Sequence, residues 1–194
     1  MSFGFNRMAL VLLLTTWGLL FTGQAAGQDS WAVSIHQARF VDGEFSHIFD
    51  RNYFGDSHLL ILAVSREFAR TWEHLGWELE GQAGKHHGLQ DHWEFNGLLV
   101  LRWHHFPWDR YLRTSLAIGE GISYATRTPY LEDNDHTRTS KLLNHLVGEL
   151  TIGLPQLPAW DLSGRIHHRS GVFGLFNGVH GASNFLSIGL RHTF

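Results

Sequence analysis

Residues 165–171 read Arg165-Ile166-His167-His168-Arg169-Ser170-Gly171. On an extended strand His168 and Ser170 are two positions apart, so they project from the same face about 7 Å apart. A serine hydroxyl becomes a nucleophile when a neighbouring base takes its proton, and the imidazole that took it can then protonate a leaving alkoxide. Acyl-ester hydrolysis is a reaction this pairing can perform. The backbone N–H groups from Gly171 to Gly178 and the side-chain amide of Asn177 offer donors for the oxyanion. Gly171 and Asn177 are the candidate oxyanion-hole residues. With 15 histidines in the chain, a His-x-Ser tripeptide is expected roughly once by chance. Its weight depends on the surface that carries it.

Other histidines come as adjacent pairs, His86-His87, His104-His105 and His167-His168. Neighbours on a strand point to opposite faces, so no pair chelates as a pair, and no metal site is expected. Glu120 shares the parity of Leu116 and Ile118, whereas Glu149 shares that of Thr151. Neither carboxylate is assigned a catalytic role.

The elements that hold these residues alternate apolar and polar with period two. In the last of them Leu186, Ile188, Leu190, His192 and Phe194 oppose Ser187, Gly189, Arg191 and Thr193. The same alternation sets Leu75, Trp77 and Leu79 against Gly76, Glu78 and Glu80, and Leu116, Ile118 and Ile122 against Ala117, Gly119 and Gly121. Charged residues share one face and leucines the other, the pattern of a membrane barrel with a polar lumen. The expected fold is all-β: an eight-stranded antiparallel transmembrane barrel of the outer membrane. Its strands are expected at 31–41, 58–70, 72–86, 92–104, 109–126, 142–155, 159–173 and 183–194. A soluble periplasmic barrel holding a ligand inside would bury the leucines, and the charged opposite face argues against it.

The connections alternate between short (near 71, around Phe106-Pro107-Trp108, and Pro155 to Pro158) and longer (42–57, 87–91, 127–141 and 174–182). Short periplasmic turns and longer external loops are the asymmetry of outer-membrane barrels, and they put both termini in the periplasm. Trp72, Trp103, Trp108, Tyr111 and Trp160 cluster beside the short turns, as an interfacial aromatic girdle does. His168 and Ser170 share the parity of Trp160, Leu162 and Ile166. They are thus expected on the lipid-facing wall, roughly 20 to 25 Å above Trp160.

Export is expected from the first residues. Asn6-Arg7 precedes the apolar run Met8 to Phe21, so residues 1–26 read as a cleavable signal peptide and 27–194 as one barrel domain. Small residues allow cleavage after Ala25 or after Gly27. After it, no apolar run reaches the roughly 20 residues of a spanning helix, so any span is made of strands. A net charge of −3 without blocks of like charge excludes a nucleic-acid arm. The chain has no cysteine, so no disulfide holds it together.

The stretch His167 to Phe194, HHRSGVFGLFNGVHGASNFLSIGLRHTF, resembles the C-terminal region of PagL-type lipid A 3-O-deacylases and acyloxyacyl hydrolase-related outer-membrane proteins. The similarity extends through Gly119-Glu120-Gly121-Ile122-Ser123-Tyr124 and Trp77-Glu78-Leu79-Glu80-Gly81. It implies an eight-stranded barrel whose outward-facing His-x-Ser cleaves an acyl ester of lipid A, without a cofactor. The lipid partner would be the lipopolysaccharide of the outer leaflet. By that resemblance His168 is the base, Ser170 the nucleophile and Asn177 an oxyanion-hole residue. The family's triad is completed by a glutamate about a dozen residues after the serine. No acidic residue follows Asp161 here, and His180, Ser183 and Asn184 occupy that neighbourhood. Two readings follow: a lipid A esterase with its third member changed, or a catalytically impaired or non-enzymatic barrel with a structural or lipid-binding role.

Overall fold

Alternation lets one face of a strand meet lipid while the other lines a polar lumen, and eight segments of the chain do this. A computed structural model describes residues 30–42, 48–132 and 139–194. The signal segment expected over 1–26 lies outside the described residues. The strands are β1 (Ser30–Val41), β2 (Phe54–Thr71), β3 (Leu75–Gly88), β4 (Trp93–Trp103), β5 (Arg113–Ala125), β6 (Leu142–Gly153), β7 (Trp160–Ser170) and β8 (Ala182–Thr193). Each pairs antiparallel with the next, and β8 closes on β1 from Ala32↔Thr193 to Val41↔Asn184. The result is a closed eight-stranded antiparallel barrel.

Four boundaries differ from the sequence reading by three residues or more, each for a local reason. Strand β3 begins at Leu75 rather than 72, because Trp72 (φ 52°) and Glu73 (φ 61°) take the left-handed conformation of the turn. Strand β2 begins at Phe54 rather than 58, because the β1–β2 ladder continues past a bulge between Arg39 and Val41 to the pair Val41↔Phe54. Strand β5 begins at Arg113 rather than 109. Asp109 instead holds the preceding turn, its Oδ2 accepting the Phe106 N–H at 2.7 Å. Strand β7 stops at Ser170 rather than 173, because Val172 (φ 49°) and Phe173 (φ 54°) take the left-handed conformation, which breaks the strand.

The outward face carries exposed Leu62, Leu79, Ile118, Ile122, Leu162, Ile188 and Leu190, and the five girdle aromatics are exposed beside the short turns. Inside, an ion network fills the half of the lumen nearer those turns. Glu149 accepts from Arg102 at 2.6 Å and Arg165 at 3.2 Å. Glu78 accepts from Arg102 at 2.7 Å and Arg191 at 3.2 Å, and Glu80 from Arg165 at 2.7 Å. Three arginines against three glutamates leave no net charge to bury, which such an interior requires. Two apolar clusters, Ala38/Phe40/Leu59/Ile61/Phe185 and Leu98/Val100/Ala117/Val147, pack beside the polar groups. With this filling, β7 is a rigid support for what it displays outside.

Candidate active site

Strand β7 alternates as its sequence dictates: Arg165, His167 and Arg169 are buried in the lumen, while His168 and Ser170 are half-buried on the outer wall. The register sets His168 beside Leu146 of β6 and Asn184 of β8, and Ser170 beside Asn144 and Ala182. His168 Nδ1 donates to Asn184 Oδ1 at 2.7 Å. With its proton on Nδ1, the neutral imidazole keeps its lone pair on Nε2, the tautomer a general base needs. Asn184 lies 14 residues after Ser170 (184 − 170), where the resemblance puts a glutamate. It supplies the orienting acceptor but no negative charge.

A second amide flanks the serine. Asn144 is directed outward and buried, and its Nδ2 donates to Gly121 O at 3.2 Å and to the Glu120 carboxylate. Glu120 stands on the outer wall between Ile118 and Ile122. A polar row thus crosses four strands of an otherwise apolar wall: Glu120, Asn144, the His168/Ser170 pair, and Asn184. Sequence reasoning gave no role to Asn144 or Asn184. The signal was present, since each is a polar residue at the parity of outward leucines, Leu142 and Leu146 in one strand and Leu186 in the other.

The donors expected for the oxyanion are otherwise engaged. The Asn177 amide gives its protons to Ser140 Oγ at 2.8 Å and Leu142 O at 3.0 Å, tying the 171–181 loop to the start of β6. The Gly171 N–H goes to Gly181 O at 3.3 Å. A Cβ at Gly171 would lie 2.0 Å from Val179 O, so the loop closes only over a glycine there. These bonds tie down the loop.

Behind the site, Arg169 donates to Ser123 Oγ at 2.8 Å, to Lys141 O at 2.6 Å and to the Glu132 carboxylate. Burial pushes the Glu132 carboxyl up to about 7, against the opposing pull of Arg169.

No protein-family model and no curated protein matches the sequence. Solved structures do. The outer membrane enzyme PagL is 12% identical with a TM-score of 0.58, covering 83% of this chain and 98% of its own. Neisserial surface protein A is 13% identical with a TM-score of 0.56, covering 88% and 100%. The chain has the fold of an eight-stranded outer-membrane β-barrel. At these identities the likeness concerns the fold, and an enzyme and a surface protein share it.

An outer-membrane barrel has its short turns in the periplasm. That orientation puts His168 and Ser170 at the outer end of β7, facing lipid. The wall on the periplasmic side of them is thinned by glycine. Gly164, four residues nearer Trp160, and Gly148 on β6 both face outward, and a Cβ at either would meet nothing within 4 Å. A row of register partners also leads from Ser170 through Asn144, Ile122 and Gly97 to Gly81. It ends in a groove of about 650 Å³ lined by Trp31, Val64, Leu79 and Leu99.

Proposed function

We propose that this barrel is an esterase that removes a fatty acyl chain from lipid A in the outer leaflet. The 3-O-linked chain is the one expected from the resemblance to the PagL-type enzymes. The observation that carries the proposal is the 2.7 Å bond from His168 Nδ1 to Asn184 Oδ1 on the lipid-facing wall, beside Ser170. A polar constellation in that position meets the ester-bearing depth of a neighbouring lipid.

Ser170 Oγ attacks the ester carbonyl while His168 Nε2 takes its proton. The imidazolium then protonates the departing sugar alkoxide, leaving an acyl-serine that water hydrolyses with His168 again as base. Asn144, the register partner of Ser170, and Asn177 each carry an amide suited to the oxyanion once it turns from its present acceptors, Gly121 O and Glu120 for the one and Ser140 and Leu142 for the other. Gly148 and Gly164 leave room along the wall for the acyl chain. Asn184 fixes the tautomer but brings no negative charge of its own, so turnover is slower than with a carboxylate there.

That same neutral Asn184 favours the second reading, a barrel that binds lipid without cleaving it. Lipid A mass separates the two. Expressed in a Gram-negative host with fully acylated lipid A, the wild-type chain should lower the mass by one hydroxyacyl group, and Ser170→Ala should leave it unchanged. An unchanged mass with both proteins, each folded in the outer membrane, sinks the esterase and leaves the lipid-binding barrel.

A further inference from the structure

Adjacent histidines send one ring outward and one inward, and the inward rings of separate strands meet in the lumen. His86 of β3, His92 before β4, and His145 and His167 of β6 and β7 surround one carboxylate, Glu94 of β4. His86 Nε2 donates to Glu94 Oε2 at 2.9 Å, and His167 Nε2 donates to Glu94 Oε1 at 2.9 Å from across the barrel. In each of two trios, His86/His92/Glu94 and Glu94/His145/His167, the candidate ligand atoms lie within 4.8 Å of one another.

We propose that this cluster is a binding site for one divalent transition metal of the zinc class. The reading is independent of the esterase proposal. The donor set is imidazole and carboxylate, which suits zinc in tetrahedral coordination and excludes the oxygen-rich sites of calcium and magnesium.

Three further observations point to a ligand. His92 Nε2 is buried with no hydrogen-bond partner, on a residue only 4% exposed. Such orphaned atoms are costly, and a metal at the cluster gives His92 one. The Gln90 amide donates to His86 Nδ1 at 2.9 Å, while its own Oε1 is buried without a partner. Turning that amide over makes Oε1 the acceptor of a proton on His86 Nδ1 and frees Nε2 for the metal. His145 donates from Nδ1 to the His168 carbonyl at 3.2 Å. Such a bond stands behind many metal-bound histidines, and Nε2 binds an ion once it leaves Gln82 Oε1, 3.3 Å away. Loading moves a proton from Nε2 to Nδ1 on His86 with no change in its charge. The ligand atoms then close from the 4.8 Å limit toward the roughly 3.3 Å spacing implied by zinc–nitrogen bonds of about 2.0 Å.

The test uses the full barrel, purified in detergent and stripped with chelator. After incubation with Zn²⁺ and desalting, metal analysis should find one zinc per chain, and X-ray absorption at the zinc edge should show several imidazoles with one oxygen ligand. Glu94→Gln and His92→Ala should each weaken zinc binding by more than the 10- to 100-fold that loss of a supporting hydrogen bond costs. A control, His58→Ala/His87→Ala, removes the stacked pair elsewhere on the barrel and should leave affinity unchanged. Equal binding by wild type and His92→Ala, or loss in the control, overturns the proposal. Should a cluster variant fail to show the heat-modifiable gel mobility of a folded barrel, the wild-type absorption spectrum decides. Fewer than two imidazoles in it overturns the site.

Discussion

Asn184 Oδ1 accepts the Nδ1 proton of His168 at 2.7 Å across the β7–β8 ladder, with Ser170 two residues further along β7. The asparagine does half of what a triad acid does: it selects the tautomer and orients the ring. Asn184→Asp adds the missing charge and should raise lipid A deacylation by about tenfold or more, whereas Asn184→Leu should lower it about 100-fold or more. Initial rates of fatty-acid release from micellar lipopolysaccharide check both. Equal rates for all three proteins would remove Asn184 from the mechanism.

The barrel was legible because its information is local. Alternation in Leu75–Glu80 or Leu186–Phe194 announces both the strand and its faces, and all eight segments were found in order. The faces of His168, Ser170, Glu120 and Glu149 followed from the same parity. What crosses strands was not legible. That Asn184 meets His168, and Asn144 meets Ser170, depends on the register of two ladders, and a shift of one residue reverses every face. The partners of Asn177 were not legible for a related reason: the left-handed residues Val172 and Phe173 turn the loop so that its amide reaches Ser140 and Leu142. The meeting of His86 and His167 at Glu94 needed closure of the whole barrel.

The acyl chain of a substrate should lie along the glycine-thinned wall. Gly164→Leu places a side chain about 13 Å below His168 on the same face, where nothing stands within 4 Å of the new Cβ. The barrel should fold as before. Deacylation of lipid A should fall at least about tenfold, and cleavage of a short-chain soluble ester, which does not reach Gly164, should stay the same. A parallel loss with both substrates would mean that the change distorts Ser170 instead of blocking the chain.

Glu132 gives the outer end of the barrel a pH dependence. Its carboxyl is raised from 4.5 to about 7, so the folded state holds the proton more tightly than the unfolded one. The stability this contributes is complete below about 4.5 and is lost as pH rises through about 7. Glu132→Gln mimics the protonated form and still leaves an acceptor for Arg169. Urea midpoints measured at pH 5 and pH 8 should fall for the wild type relative to Glu132→Gln over that interval. A difference between the two proteins that does not change with pH would rule the titration out.

The lumen network makes a prediction of opposite signs. Glu149 accepts hydrogen bonds from Arg102 and, at 2.5 Å, from Ser163 Oγ, and pairs with Arg165 at 3.2 Å. Glu149→Ala leaves three buried arginines facing two glutamates, and an uncompensated charge in such a place costs about 3–5 kcal/mol. Removing a second charge should therefore help. Arg191→Met in the Glu149→Ala background restores two against two, with Arg102 on Glu78 and Arg165 on Glu80. The double variant should be more stable than Glu149→Ala, an interaction that urea unfolding followed by tryptophan fluorescence reads directly. Additive losses from the two substitutions would mean that water in the lumen, and not charge balance, carries the arginines.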